Sequence, residues 1–295
     1  MSATDTTTVV EPGVVHGMDE GAYHGDPVPE GSLSYSGAKL LLDSPARYQY
    51  SREHAVAKRE FDFGHGAHKL VLGEGAELVP LQRTDTKTNE VSTATDMRSP
   101  STREHAVMVR AEGKVPLLAH EIAKAQAMAD VVRAHPVASR LLAQGEAEVS
   151  MFWRDPHTRV MLRSRCDWVT RLPSGRPVIV DYKTTGQSAN PLRWGKEAGN
   201  LRYYMQDPWY REGYEALHPD EEPPAFLFIV QEKEPPYLVS VCELDDDSRA
   251  PGAEANATAR ALFLECMTTG DWPAYAPRVH PVTIPRYLLT EGTPS

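Results

Sequence analysis

A chain of 295 residues can bury a substantial core, and 41% hydrophobic with 24% charged residues is ordinary globular usage, which excludes a wholly disordered or fibrous chain. No run approaches the roughly 18 apolar residues of a membrane helix, and the opening MSATDTTTVVEPG lacks both the basic region and the apolar stretch of a signal peptide, so a cytoplasmic protein is expected. A formal net charge of -10 argues against a nucleic-acid partner unless basic residues are concentrated locally, since phosphate binding leaves a basic footprint.

Residues 1–30 are rich in Thr, Gly, Pro and acid without apolar periodicity, which predicts a flexible N-terminal arm ahead of a single domain over 31–295. Ser34 or Ser36 can cap a short helix through Leu40, Leu41 and Leu42, ending near Ser44 because Pro45 disfavours helical geometry before it. A second helix is expected over Phe61 to Leu72. The polar stretch between Pro80 and Ser101 has little to bury and reads as a mobile loop over 80–101. One or two packing helices follow between Leu117 and Gln144. Strands are expected at 148–153, 160–170, 177–184, 225–231 and 237–243, with helices over 196–217 and 254–268. Helices flanking one cluster of strands imply a mixed α/β or α+β domain with a single sheet. Cys166, Cys242 and Cys266 are far apart and suggest neither a metal motif nor a disulfide framework.

The informative stretch runs from Arg159 to Thr185. Pro173 suits the first position of a type I turn, and Gly175 can close a three-residue hairpin loop in the left-handed region. With Leu172 opposite Arg176, the register sets Asp167 opposite Asp181 and Arg165 opposite Lys183. Alternation then places Asp167, Asp181 and Lys183 on one face and Val178, Val180 and Tyr182 on the other. Opposed residues have Cβ atoms about 5 Å apart, where two carboxylates repel unless something neutralises them. A divalent cation would do so, and Mg²⁺ or Mn²⁺ suits oxygen ligands with positions open to substrate. Lys183 could orient an attacking water or stabilise charge developing on a phosphate. The bland alternative is a salt-bridge ladder among Arg165, Asp167, Asp181 and Lys183.

Asp167 followed by Asp181-Tyr182-Lys183 at the end of an apolar strand resembles the D…(D/E)xK signature of the PD-(D/E)XK nuclease superfamily. Gly64 to His68 resembles the upstream GxxxH motif, and Gln206 to Tyr210 the downstream QxxxY motif, of its RecB-like branch. The stretch YSGAKLLLDSPARYQY looks like that branch's first helix. The likeness covers about residues 32–243 and is greatest to the RecE-type phage and prophage exonucleases, also called exodeoxyribonuclease VIII.

That resemblance implies a restriction-endonuclease-like core, a central mixed β-sheet flanked by helices. It implies Mg²⁺, with Mn²⁺ as substitute, held by His68, Asp167, Asp181 and the Tyr182 carbonyl, and Lys183 as the catalytic lysine. Gln206 and Tyr210 of the QxxxY motif become DNA contacts, Arg163 and Arg165 are expected to join them from the basic crowding around the hairpin, and whether Glu148 or His65 joins the site stays open. The activity implied is degradation of linear duplex DNA from its 5′ ends, leaving 3′ single strands for an annealing recombinase in the bacterial host cytoplasm. A homo-oligomeric ring around DNA is compatible with it. Three scattered cysteines predict no iron–sulfur cluster, and the absence of a GxxxxGK[ST] loop predicts no use of ATP. Basic residues crowd between Arg163 and Arg202, including Arg171, Arg176, Arg193 and Lys196, which would supply a local cleft on an acidic body. The same motifs serve structure-selective and single-strand nucleases. A non-catalytic DNA-binding or host-interaction protein could keep the fold, although a binding module needs no repulsive carboxylate pair.

Overall fold

Capping residues and prolines mark out the first helices in a computed structural model that describes residues 8–9, 11–54 and 59–283. After β1 (Gly13–Val15), α1 (Glu20–His24) and β2 (Ser32–Ser34), helix α2 (Tyr35–Asp43) starts at Ser34, whose hydroxyl accepts from the Gly37 N–H. It stops at Ser44, which in turn caps α3 (Pro45–Glu53) with Pro45 in its first turn. There follow α4 (Arg59–Leu72), β3 (Leu78–Pro80), β4 (Gln82–Thr84), β5 (Val91–Thr93), α5 (Pro100–Ala111), β6 (Val115–Leu117), α6 (Ala119–Ala134) and α7 (Ala138–Leu141). The C-terminal half carries β7 (Glu146–Arg154), β8 (Met161–Arg171), β9 (Pro177–Thr185), α8 (Pro191–Asn200), α9 (Tyr203–Leu217), β10 (Ala225–Glu232), β11 (Val239–Cys242) and α10 (Asp246–Thr269).

The main sheet has the order β1-β7-β8-β9-β10-β11, with β2 alongside β8. β7, β8 and β9 form an antiparallel meander, α8 and α9 cross over to place β10 parallel to β9, and β11 returns antiparallel. This is the mixed sheet flanked by helices that the sequence predicts. One face, with Ile179, Phe226, Phe228 and Val230, packs against α2, α8, α9 and α10; the other, with Val178, Val180, Tyr182 and Ile229, packs against α4, α6 and α7. The β8–β9 hairpin has the predicted register, Trp168 opposite Val180 through Arg171 opposite Pro177, closed by the Gly175 N–H on the Leu172 carbonyl.

Three expectations change. From residue 11 the N-terminal stretch is packed structure: β1 pairs with the outer edge of β7, and Met18, Tyr23 and Val28 are buried beside Phe152 and Met161. Its few apolar side chains are too scattered to show periodicity, yet each meets a sheet residue. The stretch 80–101 holds a small hairpin, β4 with β5, whose turn is tied by the Asp85 carboxylate accepting from Lys87 and Thr88 N–H groups, while Leu81 and Ala94 are buried with Ala106 and Leu118. Strict alternation also fails in β8, because Cys166 and Val169 pack into the same apolar layer although three residues apart. Among the described residues no helix is long and apolar enough to cross a membrane.

One contact fixes how α9 approaches the sheet. Pro208 lies inside α9 and has no N–H, so the Tyr204 carbonyl loses its usual partner. Gly252 of α10 fills the opening so closely that a Cβ there would stand 1.8 Å from that carbonyl oxygen, and Asn256 donates its side-chain N–H to the Met205 carbonyl at 2.9 Å. Gly252→Ala must therefore push α10 off α9. We expect a loss of about 3 kcal/mol, read as a fall in Tm, because overpacking against backbone has no side chain to yield.

Candidate active site

β8 is longer than either partner on one of its sides. β2 runs beside Met161 to Arg163 and β9 beside Trp168 to Arg171, so β8 and β9 part company at Asp167. The parting leaves the Tyr182 N–H free of the β8 ladder, and the Asp167 carboxylate takes it at 2.9 Å. In the same fork Asp181 is buried between Lys183, whose Nζ is 2.5 Å from Oδ2, and Gln206 of α9, whose amide donates to Oδ1 at 2.6 Å. Oδ2 has only that ion contact and no hydrogen bond of good geometry. From the opposite layer α4 brings His68 to 3.5 Å from Asp167 Oδ2, with its ring edge-on to Tyr182. Asp167 and Asp181 are thus neighbours reached from different layers, rather than sharing one face.

The electrostatics follow from burial. Loss of water pushes the Asp167 carboxyl well above the usual range, and the Asp181 charge pushes it further, with Lys183 acting the other way. Burial disfavours the Lys183 ammonium, but Asp181 and Asp167 outweigh it and hold its pKa at about 12. Burial, and then Lys183, push His68 down to about 4, so the imidazole is neutral at ordinary pH. The Asp181 charge, and after it the backbone of Tyr182, act the other way on the ring.

Other predicted residues are deployed differently. Glu148 falls opposite Asp167, between the pairs Ala147–Trp168 and Val149–Cys166, but its φ of +57° interrupts the ladder at that one position and its carboxylate is taken by Arg165 at 2.5 Å. Arg165 also donates to the Met18 carbonyl, and Arg163 to Ser32 with Asp26 as ion partner, so both are tied inward under the N-terminal stretch instead of being free phosphate contacts. Gln206 is buried on Asp181, and Tyr210 packs edge-on against Tyr35 and Phe226; neither faces an open groove. His65 turns to Glu20 at 3.9 Å, away from Asp167. Gly66, in the same helix, is tight because a Cβ would meet Leu117 at 2.7 Å. Tyr203, one turn before Gln206 and open in the sequence to either aromatic packing or base stacking, lies with its ring 5.0 Å from the Lys183 ammonium.

Residues 34–281 match the model of a family described as a PDDEXK-like domain of unknown function (DUF3799). The chain belongs to this PDDEXK-like family. Its fold is similar to the crystal structure of a candidate exonuclease from Eubacterium rectale, with a TM-score of 0.51 and 13% identity over 90% of this chain and 94% of that one. A second solved structure, SSO0001, aligns over 80% of this chain and 86% of its own at 14% identity, and its TM-score of 0.29 carries no argument. No curated protein matches the chain.

For this PDDEXK-like chain the fit to a cation can be judged on its own donors. Among the described residues no three His, Cys, Asp or Glu side chains are already gathered into a metal cluster, since Asp181 faces Lys183 and Gln206. The donor set nevertheless suits a hard divalent ion: two carboxylates that repel each other, Asp181 buried with an oxygen lacking a hydrogen bond and Asp167 partly exposed, a neutral imidazole and the Tyr182 backbone beside it.

The pair also has a cost in the metal-free protein that pH should reveal. Asp167, and separately Asp207 on α9, which sits among Arg211 and Arg249 and whose burial raises its pKa to about 7, both bind protons more tightly folded than unfolded. Each contributes stability that is complete below the ordinary carboxylate pKa and lost as pH rises, for Asp207 through about pH 7. His68, with its pKa lowered to about 4, works the other way and adds stability as pH rises toward 6.5; in EDTA, Asp167→Asn or Asp207→Asn should each raise Tm at pH 8 relative to Tm at pH 4, compared with the wild-type chain.

Proposed function

We propose that the protein is a Mg²⁺-dependent DNA exonuclease of the RecE type, with Mn²⁺ as an acceptable substitute. The observation that carries the reading is the fork at which Asp167, Asp181, Lys183 and His68 converge. Membership of a PDDEXK-like family and the fold likeness to a candidate exonuclease support nuclease chemistry. The finer reading, attack on linear duplex DNA from 5′ ends to leave 3′ single strands for an annealing recombinase, rests on the motif order of the RecE-type branch. No ATP or iron–sulfur cluster is invoked, and assembly into a ring around DNA is part of the same reading.

A divalent cation held by His68, Asp167, Asp181 and the Tyr182 carbonyl would supply Lewis acidity toward a phosphoryl oxygen. The chain's own groups supply the rest. Cation capture would draw Asp167 into its charged form and relieve the repulsion from Asp181 that raises its pKa. Gln206 anchors Asp181 through Oδ1, and Oδ2, beside Lys183, is the oxygen that would ligate a cation. Lys183 stays protonated with its pKa at about 12, so it acts as a donor to negative charge accumulating on the phosphate and not as a base.

Digestion of a linear duplex labelled at either end tests the proposal. Early, Mg²⁺-dependent release of the 5′ label, abolished by EDTA and by Asp167→Ala or Asp181→Ala, is expected. Early release of the 3′ label would reverse the polarity, and no cleavage of linear, nicked or single-stranded DNA would leave a binding protein on this fold. Lys183→Ala should keep metal and DNA binding while losing about 100- to 1,000-fold in turnover, the usual cost of deleting one donor to a developing negative charge.

A further inference from the structure

Behind the fork stands a buried polar side chain that the proposed chemistry does not use. Gln231 on β10 is fully buried in the apolar layer between the sheet and α6. Its amide is satisfied on every side that matters: Nε2 donates to the Met128 carbonyl at 2.9 Å and to the Tyr237 carbonyl at 3.2 Å, and Oε1 accepts from the Tyr182 hydroxyl at 2.5 Å. With both N–H groups spent on carbonyls, the amide has a single orientation, and its oxygen must face the tyrosine. Tyr237 offers its carbonyl from a left-handed backbone, φ +61°, which a non-glycine residue adopts only when its surroundings impose it.

We infer that Gln231 and the Tyr182 hydroxyl are a positioning pair for the cation-binding side of the site. The hydroxyl pins the far end of the Tyr182 ring, and the near side of that ring meets the His68 imidazole edge-on at 5.1 Å between centroids. The same residue's backbone N–H holds Asp167, so Tyr182 touches His68 through its ring and Asp167 through its main chain. Leucine and phenylalanine would fill this layer without desolvating any polar group. A network kept there at the cost of that desolvation makes sense where orientation, not packing alone, has to be specified. The inference rests on the metal-dependent reading above and names residues that act through His68 and Tyr182 without touching substrate.

The test measures Mn²⁺ affinity by calorimetric titration, at a temperature where circular dichroism shows every variant folded, alongside Tm in EDTA. Tyr182→Phe removes one oxygen, Gln231→Leu removes the amide, and the double variant removes both. Each single change should weaken Mn²⁺ binding about 10- to 100-fold, as loss of a supporting hydrogen bond behind a ligand does. The double variant should be no worse than the more severe single one, and Tyr182→Phe should cost less in a His68→Ala background than in the wild-type chain. Should Gln231→Leu fail to fold, Tyr182→Phe decides alone. A lowered Tm with wild-type Mn²⁺ affinity would reduce the pair to packing and overturn the inference. If the wild-type protein binds no Mn²⁺, the metal-dependent reading falls and takes this one with it.

Discussion

Two carboxylates within one strand spacing repel, and burial deepens the repulsion because little water is left to screen it. Asp167 and Asp181 meet at the point where β8 and β9 stop pairing, and the rest of the site is arranged around that liability. Each charge is answered from a different direction. The Tyr182 N–H, freed by the parting of the strands, answers Asp167, and Lys183 with the Gln206 amide answers Asp181. Without the fork the N–H would be bonded across the ladder and the carboxylate would have no backbone donor to hold it.

The helices can reach the fork only because of features far from it. Gln206 arrives on a helix that carries an internal proline, and Gly252 together with Asn256 accepts the resulting exposed carbonyls into the α9–α10 contact. A proline that merely broke the helix would leave buried carbonyls unsatisfied, which is why the kink and the close approach belong together. On the other side, the close approach of α4 to β6 at Gly66 brings the helix down far enough for His68 to meet Asp167. The site is therefore the convergence of two layers on a gap in the sheet, and packing in each layer sets one side of it.

What could be read from sequence follows the same physics. The hairpin register was legible because turn chemistry at Pro173 and Gly175 is local and determines every later pair in the ladder. The order of the motifs likewise located His68, Asp167, Asp181 and Lys183. Contacts between distant segments were not legible. Arg163 and Arg165 looked like free cations because their partners, Asp26 and Glu148, lie elsewhere in the chain, one of them in a stretch that reads as a flexible arm. Gln206 and Tyr210 have polar groups that suit DNA as well as they suit a buried carboxylate and an aromatic layer. Gln231 is one polar residue in an apolar strand, and only its three partners reveal why it is there. The slip in alternation at Asp167 has no sequence signature, since it arises from the strain at Glu148 and the end of pairing with β9.

The structure also alters the meaning of the net charge of -10. Many of the basic residues between 163 and 202 or close after them are already neutralised by acids: Arg163 by Asp26, Arg165 by Glu148, Arg171 by Glu221, Arg176 by Glu222. Among the described residues Arg193, Lys196 and Arg202 have no such partner, nor does Lys39, which donates to the Leu201 carbonyl. Burial disfavours the charge on Lys39, and Lys183 and Arg202 add to the effect, so these cations stand close enough to repel one another beside the fork. Phosphate binding responds to that local field and its screening length, not to the sum over the chain. An acidic body can thus carry local positive charge, since Lys39 and Arg202 stand close to Lys183 without an acidic partner among the described residues.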